Sequence, residues 1–284
     1  MHPVDRMFLR AGSRHHSVSM VRRKHMQETK RSLTFGADIE FIVHKKGKPT
    51  VNYATGFFGG TKQHPIQFPN EKQGFMYQED GATLELNIPI CHSVEEFRIA
   101  IERMVALGKQ LCEERDFTLT TAVDTTLTVP MHEVPLAYEV GCSPDWDAYT
   151  MTQRVPFQAL DMGNNRYAGG HIHIGFPKDE CPDFVFVRAM DYYLGEACRR
   201  SRELSPNRAH YYGMDGIYRP KDYGIEYRTL CTWPLLYPHR VYDGLRDLVS
   251  DWETNRERFI ANALSTKRDE SSEAHYNYAR VEAV

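Results

Sequence analysis

The chain has 284 residues, 41% of them hydrophobic, and a formal net charge of −3. That length supports one large domain around a sizeable core, and no run approaches the 18 consecutive apolar residues of a membrane-spanning helix. The acidic body argues against a dedicated nucleic-acid binder. Six scattered cysteines without a CxxC pair read as reduced thiols of a cytoplasmic protein, not as a disulfide frame or a zinc cage.

Residues 1–32 hold eight Lys or Arg against two acids, which leaves the rest of the chain at −9. Without an apolar stretch this segment is no secretory signal, and a solvated basic arm is expected. A strand follows over Leu33–His44. Its apolar residues Leu33, Phe35, Ala37, Ile39, Phe41 and Val43 fall on one face, and Gly36, Asp38 and Glu40 on the other. Thr83–Ile90 repeats the arrangement, with Leu84, Leu86, Ile88 and Ile90 opposed to Glu85 and Asn87. Ser93–Glu114 reads as a helix opened by a capping box of Ser93 and Glu96, with an apolar stripe from Val94 to Leu111.

Strand character returns over Phe117–Val129 and Gly169–Phe176, where His171 and His173 oppose Ile172, Ile174 and Phe176. A helix is predicted over about 182–204, then a Gly- and Tyr-rich loop from Arg208 to Lys221. The Gly224–Leu230 strand opposes Glu226 and Arg228 to Ile225 and Tyr227, and a last helix spans about 239–264. Strands and helices do not alternate in a βαβ rhythm. An α+β fold is therefore predicted, with an antiparallel or mixed sheet and helices on one face.

One alternating strand says little, because a half-solvated sheet alternates by default. Four strands whose outward residues are Asp, Glu, His and Arg say more. If they share a sheet, one face gathers Asp38, Glu40, Glu85, His171, His173 and Glu226, and carboxylates so packed repel unless cations neutralise them. Carboxylates with one or two imidazoles and no thiolate suit Mg²⁺ or Mn²⁺. Mg²⁺ commonly bridges carboxylates to substrate phosphates, so Arg228 beside Glu226 points to a nucleotide. No GxxxxGK[ST] or GxGxxG loop occurs. Phosphate-binding candidates are instead Lys62 in Gly59-Gly60-Thr61-Lys62, and Arg208 and Arg219 in the Arg208–Lys221 loop.

Phe35-Gly36-Ala37-Asp38-Ile39-Glu40 resembles the first metal-binding strand of glutamine synthetase-like enzymes. The 78–89 segment, Gln-Glu-Asp-Gly-Ala-Thr-Leu-Glu-Leu-Asn-Ile-Pro, is similar to the second acidic strand, close to that of glutamate–cysteine ligases. Gly169–Gly175 resembles the superfamily's His-x-His strand and Glu226-Tyr227-Arg228 its Glu-x-Arg strand. With Gly141-Cys142-Ser143-Pro144-Asp145 and Gly59–Lys62, the set most resembles the phage-type carboxylate–amine ligase (amidoligase) type 2 family.

The resemblance implies a glutamine synthetase-like catalytic fold over 33–266, with a polar tail from 267 to 284. It implies metal ligation by Asp38, Glu40, Glu85, His171 and Glu226, with Asp80 or Glu79 a further ligand between which spacing does not choose. His173 would touch substrate or phosphate, and Arg228 the γ-phosphate. The first motif carries Asp38 where glutamine synthetases use Glu. The implied reaction is an ATP- and Mg²⁺-dependent ligation of a small-molecule or peptide carboxylate to an amine through an acyl phosphate, in the cytoplasm (the host's, if the chain is phage-encoded). Three other readings compete: a guanidino kinase-like phosphotransferase on the same fold, a metallohydrolase built on His171 and His173, and a silent interaction protein that keeps the fold.

Overall fold

The computed structural model describes residues 32–139, 144–154, 159–211, 213–237 and 239–269. The predicted arm, most of the polar tail and residues 141–143 of the Gly141–Asp145 motif lie outside the described residues. The strands are β1 (Thr34–Phe41), β2 (Val43–Lys45), β3 (Ile66–Gln67), β4 (Met76–Asp80), β5 (Thr83–Asn87), β6 (Phe117–Leu119) and β7 (Asp124–Thr126), followed by β8 (Trp146–Asp147), β9 (Thr152–Gln153), β10 (Asn165–Tyr167), β11 (Gly170–Gly175), β12 (Ile217–Lys221) and β13 (Gly224–Tyr227). The helices are α1 (Val94–Glu114), α2 (Asp183–Tyr193), α3 (Gly195–Leu204), α4 (Arg208–Tyr211), α5 (Trp233–Leu236), α6 (His239–Thr254) and α7 (Arg256–Ser265).

Nine strands form one sheet in the order β3-β4-β5-β1-β11-β13-β12-β8-β9, and every neighbouring pair is antiparallel. The protein is thus mixed α+β with a large antiparallel sheet. The alternation of β1 has the consequence its sequence predicts: Phe35, Ala37, Ile39 and Phe41 are all buried in one core with Leu84, Leu86, Ile172, Ile174, Ile225 and Tyr227. Helices α1, α2 and α6 cover that face, contributing Phe97, Met104, Phe186, Met190, Leu245 and Trp252. Gly108 in the α1 stripe permits the close approach, since a Cβ there would lie 2.4 Å from Leu86 Cδ1. At the start of α1 the Ser93 hydroxyl accepts the Glu96 N–H at 3.1 Å, while the Glu96 carboxylate reaches back to the N–H of His92.

Several predicted elements are interrupted. The 182–204 helix breaks at Leu194, whose backbone leaves helical geometry and lets Gly195 open α3. The 239–264 helix breaks at Asn255, whose side chain caps α7 by accepting the Arg258 N–H. The second break folds α7 back so that Phe259 meets Phe186 and Trp252, ring centroids 5.3 and 5.1 Å away. The Phe117–Val129 stretch divides into β6 and β7, which pair with β2 and β10 outside the main sheet. The loop predicted from Arg208 to Lys221 instead holds α4 and β12.

Beneath the sheet, on the helix side, Asp191 accepts the hydroxyls of Tyr227 (2.6 Å) and Tyr149 (2.9 Å). Burial raises its pKa to about 8; nearby Asp215 adds to the rise, while the two tyrosines and the Gly216 N–H oppose it. A carboxyl raised on folding stabilises fully below its unfolded pKa near 4, and that contribution drains away as pH climbs through the folded value. The Asp191 contribution to stability should therefore fall between about pH 4 and 8, with a slope of up to about 1.4 kcal/mol per pH unit. Urea midpoints measured across that range should flatten in Asp191→Asn; an unchanged slope would mean that Asp191 stays ionised throughout.

Candidate active site on the polar face of the sheet

The opposite face carries the residues that alternation points away from the core. Strand pairing sets Glu40 opposite Glu85, Asp38 opposite His171, His173 opposite Glu226, Arg219 opposite Glu226 and Gln78 opposite Glu85. Directly opposed side chains in an antiparallel pair lie within about 5.5 Å at Cβ, so one ionisable row crosses β4, β5, β1, β11, β13 and β12. All six residues predicted as metal ligands from the motifs are in it.

They fall into two groups. Ligand atoms of Glu40, Asp80 and Glu85 lie within 4.8 Å of one another, and so do those of Asp38, His171 and Glu226. Glu79, the alternative to Asp80, points to the other side of β4, where its carboxylate accepts the backbone N–H groups of Gly56, Phe57, Phe58 and Gly59 at 2.7–2.9 Å. Glu40 is tightly placed. Its Oε2 accepts the Gly169 N–H at 2.6 Å, its backbone N–H meets the Gly169 carbonyl, and Thr232 donates to its carbonyl.

Electrostatically the groups differ, which corrects the picture of one uniformly repelling cluster. Burial pushes the Glu85 carboxyl well above the usual range, and Asp38, Asp80 and Glu40 push the same way; Lys62 opposes them. A hydrogen bond from Gln78 Nε2 to Glu85 Oε1 (2.8 Å) supplies no charge. Around Glu226 the balance reverses. Burial pushes its pKa up, but Arg228, His171 and Arg219 outweigh that and the carboxyl stays far below the usual range. Arg228 Nη1 lies 2.5 Å and Lys221 Nζ 2.7 Å from its oxygens, with Arg219 Nη1 at 3.4 Å. One half of the row has three cationic side chains paired directly to its glutamate; around Glu85 the like charges prevail over Lys62.

His171 presents Nδ1 to the second group, 3.6 Å from Asp38 Oδ1 and 3.9 Å from Glu226 Oε1. Its Nε2 faces Gly169, where a Cβ would lie 2.3 Å away, so a side chain there would displace the ring. His173 sets Nε2 at 2.9 Å from Asp38 Oδ1 and bonds the Tyr223 hydroxyl through Nδ1. Burial pushes His173 down, yet the Asp38 carboxylate raises it overall; the same pairing holds Asp38 well below the usual range against its own burial.

Of the predicted phosphate-binding cations, Lys62 is exposed on the turn after Gly60 and within electrostatic reach of Glu85, while Arg219 and Arg228 enter the row. Arg208 is not brought there. Its guanidinium is buried and donates to the carbonyls of Arg228 (3.0 Å) and Thr229 (2.9 Å), so it braces the backbone behind Arg228.

Four further residues shape the site without having been picked out as such. Asp145 Oδ1 lies 2.9 Å from Arg219 Nε and 3.2 Å from Arg228 Nε, tying the two guanidinium groups together. Lys221, Tyr223 and Gln78 are the others. Lys221 could have been found: Tyr218 and Pro220 alternate with Arg219 and Lys221, a strand pattern hidden by the glycines before it. Asp145 closes the Gly141–Asp145 motif, but its role is not legible locally, because its partners lie 74 and 83 positions away.

A third group, Asp191, Cys198 and Asp215, also has converging ligand atoms. Its acids are already served by Tyr149, Tyr227 and Arg202, and it lies on the helix side of the sheet. The five cysteines among the described residues are buried and unbridged, and no described helix is long and apolar enough to cross a membrane.

Residues 147–245 match the family model Phage phiEco32-like COOH.NH2 ligase-type 2. The matched segment contains β11, β12 and β13, and with them His171, His173, Arg219, Lys221, Glu226 and Arg228. No curated protein matches the chain.

Proposed function

We propose, for a chain that carries the domain of this carboxylate–amine ligase family over residues 147–245 and is thereby an ATP-dependent ligase forming carbon–nitrogen bonds, that the polar face of the sheet is where phosphoryl transfer and amide formation take place. The observation that carries this reading is the pair of ligand groups, Glu40–Asp80–Glu85 and Asp38–His171–Glu226, flanked on one side by Arg219, Lys221 and Arg228. A glutamine synthetase-like fold is the architecture the family implies for such a face.

The donor set suits Mg²⁺ or Mn²⁺: five carboxylates and one imidazole, with no thiolate. The fit is best at Glu40–Asp80–Glu85, where three carboxylates converge and burial with like charge holds Glu85 up in pKa. Bound there and at the second group, the metal would neutralise the charge of nucleotide phosphates.

In the first half-reaction an oxygen of the substrate carboxylate attacks the γ-phosphorus of ATP, the bond to the β,γ-bridging oxygen breaks, and ADP leaves. An amine then attacks the carbonyl carbon of the acyl phosphate, gives up a proton, and inorganic phosphate departs with the C–O electron pair. The chain's own part is positioning and fixed charge. Arg228 and Arg219, aligned through Asp145, present guanidinium groups to the transferring phosphoryl group. Lys221, now on Glu226, and Lys62, at the opposite end of the row, offer further cations to phosphate oxygens. His173, oriented by Asp38 and Tyr223, places an imidazole beside the Asp38–His171–Glu226 group.

Magnesium-dependent nucleotide binding tests this. ATP with Mg²⁺ should raise the melting temperature by several degrees, as native-state ligands do by mass action, and should do so far less in EDTA. With carboxylate and amine pools, mass spectrometry should find a condensation product and one phosphate released per product. A phosphorylated product with no phosphate release would favour a phosphotransferase, and an ATP shift indifferent to metal would remove the metal-bridged phosphate.

A further inference from the structure

We infer that Glu79 is a positioning residue, whose carboxylate clamps the 55–62 loop around the edge of the sheet and so holds Lys62 at the Glu40–Asp80–Glu85 group. This rests on the reading of that group as a magnesium and phosphate site.

Glu79 belongs to β4 but alternates with Gln78 and Asp80, so its side chain leaves the sheet on the face away from the acidic row. There Oε1 accepts the N–H groups of Phe57 (2.9 Å), Phe58 (2.7 Å) and Gly59 (2.8 Å), and Oε2 that of Gly56 (2.9 Å). Four backbone donors on one carboxylate form an anion nest with a resident anion. The loop is also fastened upstream, where the Ala54 N–H donates to the Ala82 carbonyl at 2.9 Å and the Thr55 hydroxyl to that of Gly81. The rings of Phe57 and Phe58 each lie 5.0 Å from that of Phe117.

From this anchorage the chain crosses β4 to the other face. Strand β3 covers the outer side of β4 only as far as Tyr77, and beyond it the loop lies against the strand. Gly60, with φ of 78°, sits so close that a Cβ would be 2.9 Å from the Tyr77 carbonyl and 3.1 Å from Gln78 Cα. Gln78 in turn donates to Glu85. Two residues on, Lys62 comes within electrostatic reach of Glu85, where like charge prevails. A loop rich in glycine would otherwise pay a large entropy to stay there; the Glu79 nest replaces that freedom with four charge-assisted bonds.

Glu79→Ala, Glu79→Gln, Lys62→Met and the Glu79→Ala/Lys62→Met double variant separate this from a plain structural role. Calorimetry with Mg-ATP should show Kd rising about tenfold in Glu79→Ala and similarly in Lys62→Met, with the double variant no worse than either, because one acts through the other. Glu79→Gln keeps an oxygen for the Phe57, Phe58 and Gly59 donors and should retain most of the affinity. Independently of nucleotide, trypsin should cut after Lys62 several-fold faster in folded Glu79→Ala than in wild type. Losses that add in the double variant, or an unchanged cleavage rate, overturn the inference. If wild type binds no Mg-ATP, the phosphate-site reading fails while the cleavage rates still decide whether Glu79 is the clamp.

Discussion

Glu85→Gln is expected to lose turnover by at least about 10²-fold, as removal of a key electrostatic partner commonly does, and yet to raise the melting temperature of the metal-free protein. The rise follows from the surroundings. Glu85 is 4% exposed, faces Glu40 across the β1–β5 ladder, and has its carboxyl forced upward by burial, Asp38, Asp80 and Glu40. A neutral amide of the same shape removes that repulsion, and its oxygen still accepts from Gln78. For a chain of this size each kcal/mol of relief shows as about 2–4 °C. The gain should vanish in excess Mg²⁺, where wild type is stabilised and the variant is not. Glu226→Gln should behave oppositely. Arg228, Lys221 and Arg219 surround Glu226, so neutralising it strands buried guanidinium charge and costs about 3 kcal/mol or more. Thermal melts of both variants in EDTA and in Mg²⁺ give the comparison. Two variants shifting the same way in EDTA would mean that the row is electrostatically uniform after all.

That contrast marks where sequence reasoning reaches and where it stops. Period-2 alternation in β1, β5, β11 and β13 was enough to place Asp38, Glu40, Glu85, His171, His173 and Glu226 on one face, because side-chain direction along a strand is a local property. The motif order in turn carries the ligase reading that residues 147–245 support. What alternation could not show was which strand lies beside which. The order β5-β1-β11-β13-β12 adds Arg219 and Lys221 to the Arg228 that already stands two positions from Glu226, and gives Glu85 three acidic neighbours; those cross-strand neighbours leave no local signal. The choice between Glu79 and Asp80 was hidden for the same reason: it depends on N–H groups about 20 residues earlier that fold over the strand edge. Helix breaks at Leu194 and Asn255 escaped notice because neither is a proline, and the apolar stripe continues through both.

Arg228 is where the catalytic and structural readings make different numerical predictions. Its guanidinium spans Glu226 at 2.5 Å, Asp145 at 3.2 Å and His171 Nδ1 at 3.3 Å, and Arg208 braces the carbonyl of the same residue. In Arg228→Lys the charge survives but a single ammonium replaces the planar fork, so Asp145 and Glu226 are no longer bridged together. If the guanidinium meets the γ-phosphate, ADP should bind the variant nearly as well as wild type, since ADP lacks that group. ATP should bind more weakly, and turnover should fall by about 10²-fold or more. Stability should fall by only about 1–2 kcal/mol, because Lys221 and Arg219 still face Glu226. If Arg228 serves only to neutralise Glu226 and Asp145, the variant loosens the whole β12–β13 end of the row, and ATP and ADP affinities drop by the same factor. Calorimetry with both nucleotides on wild type and variant, beside urea midpoints for each, separates these outcomes. Equal weakening of ADP and ATP would take Arg228 out of the catalytic set and leave Arg219 and Lys221 as the cations to test against the transferring phosphate.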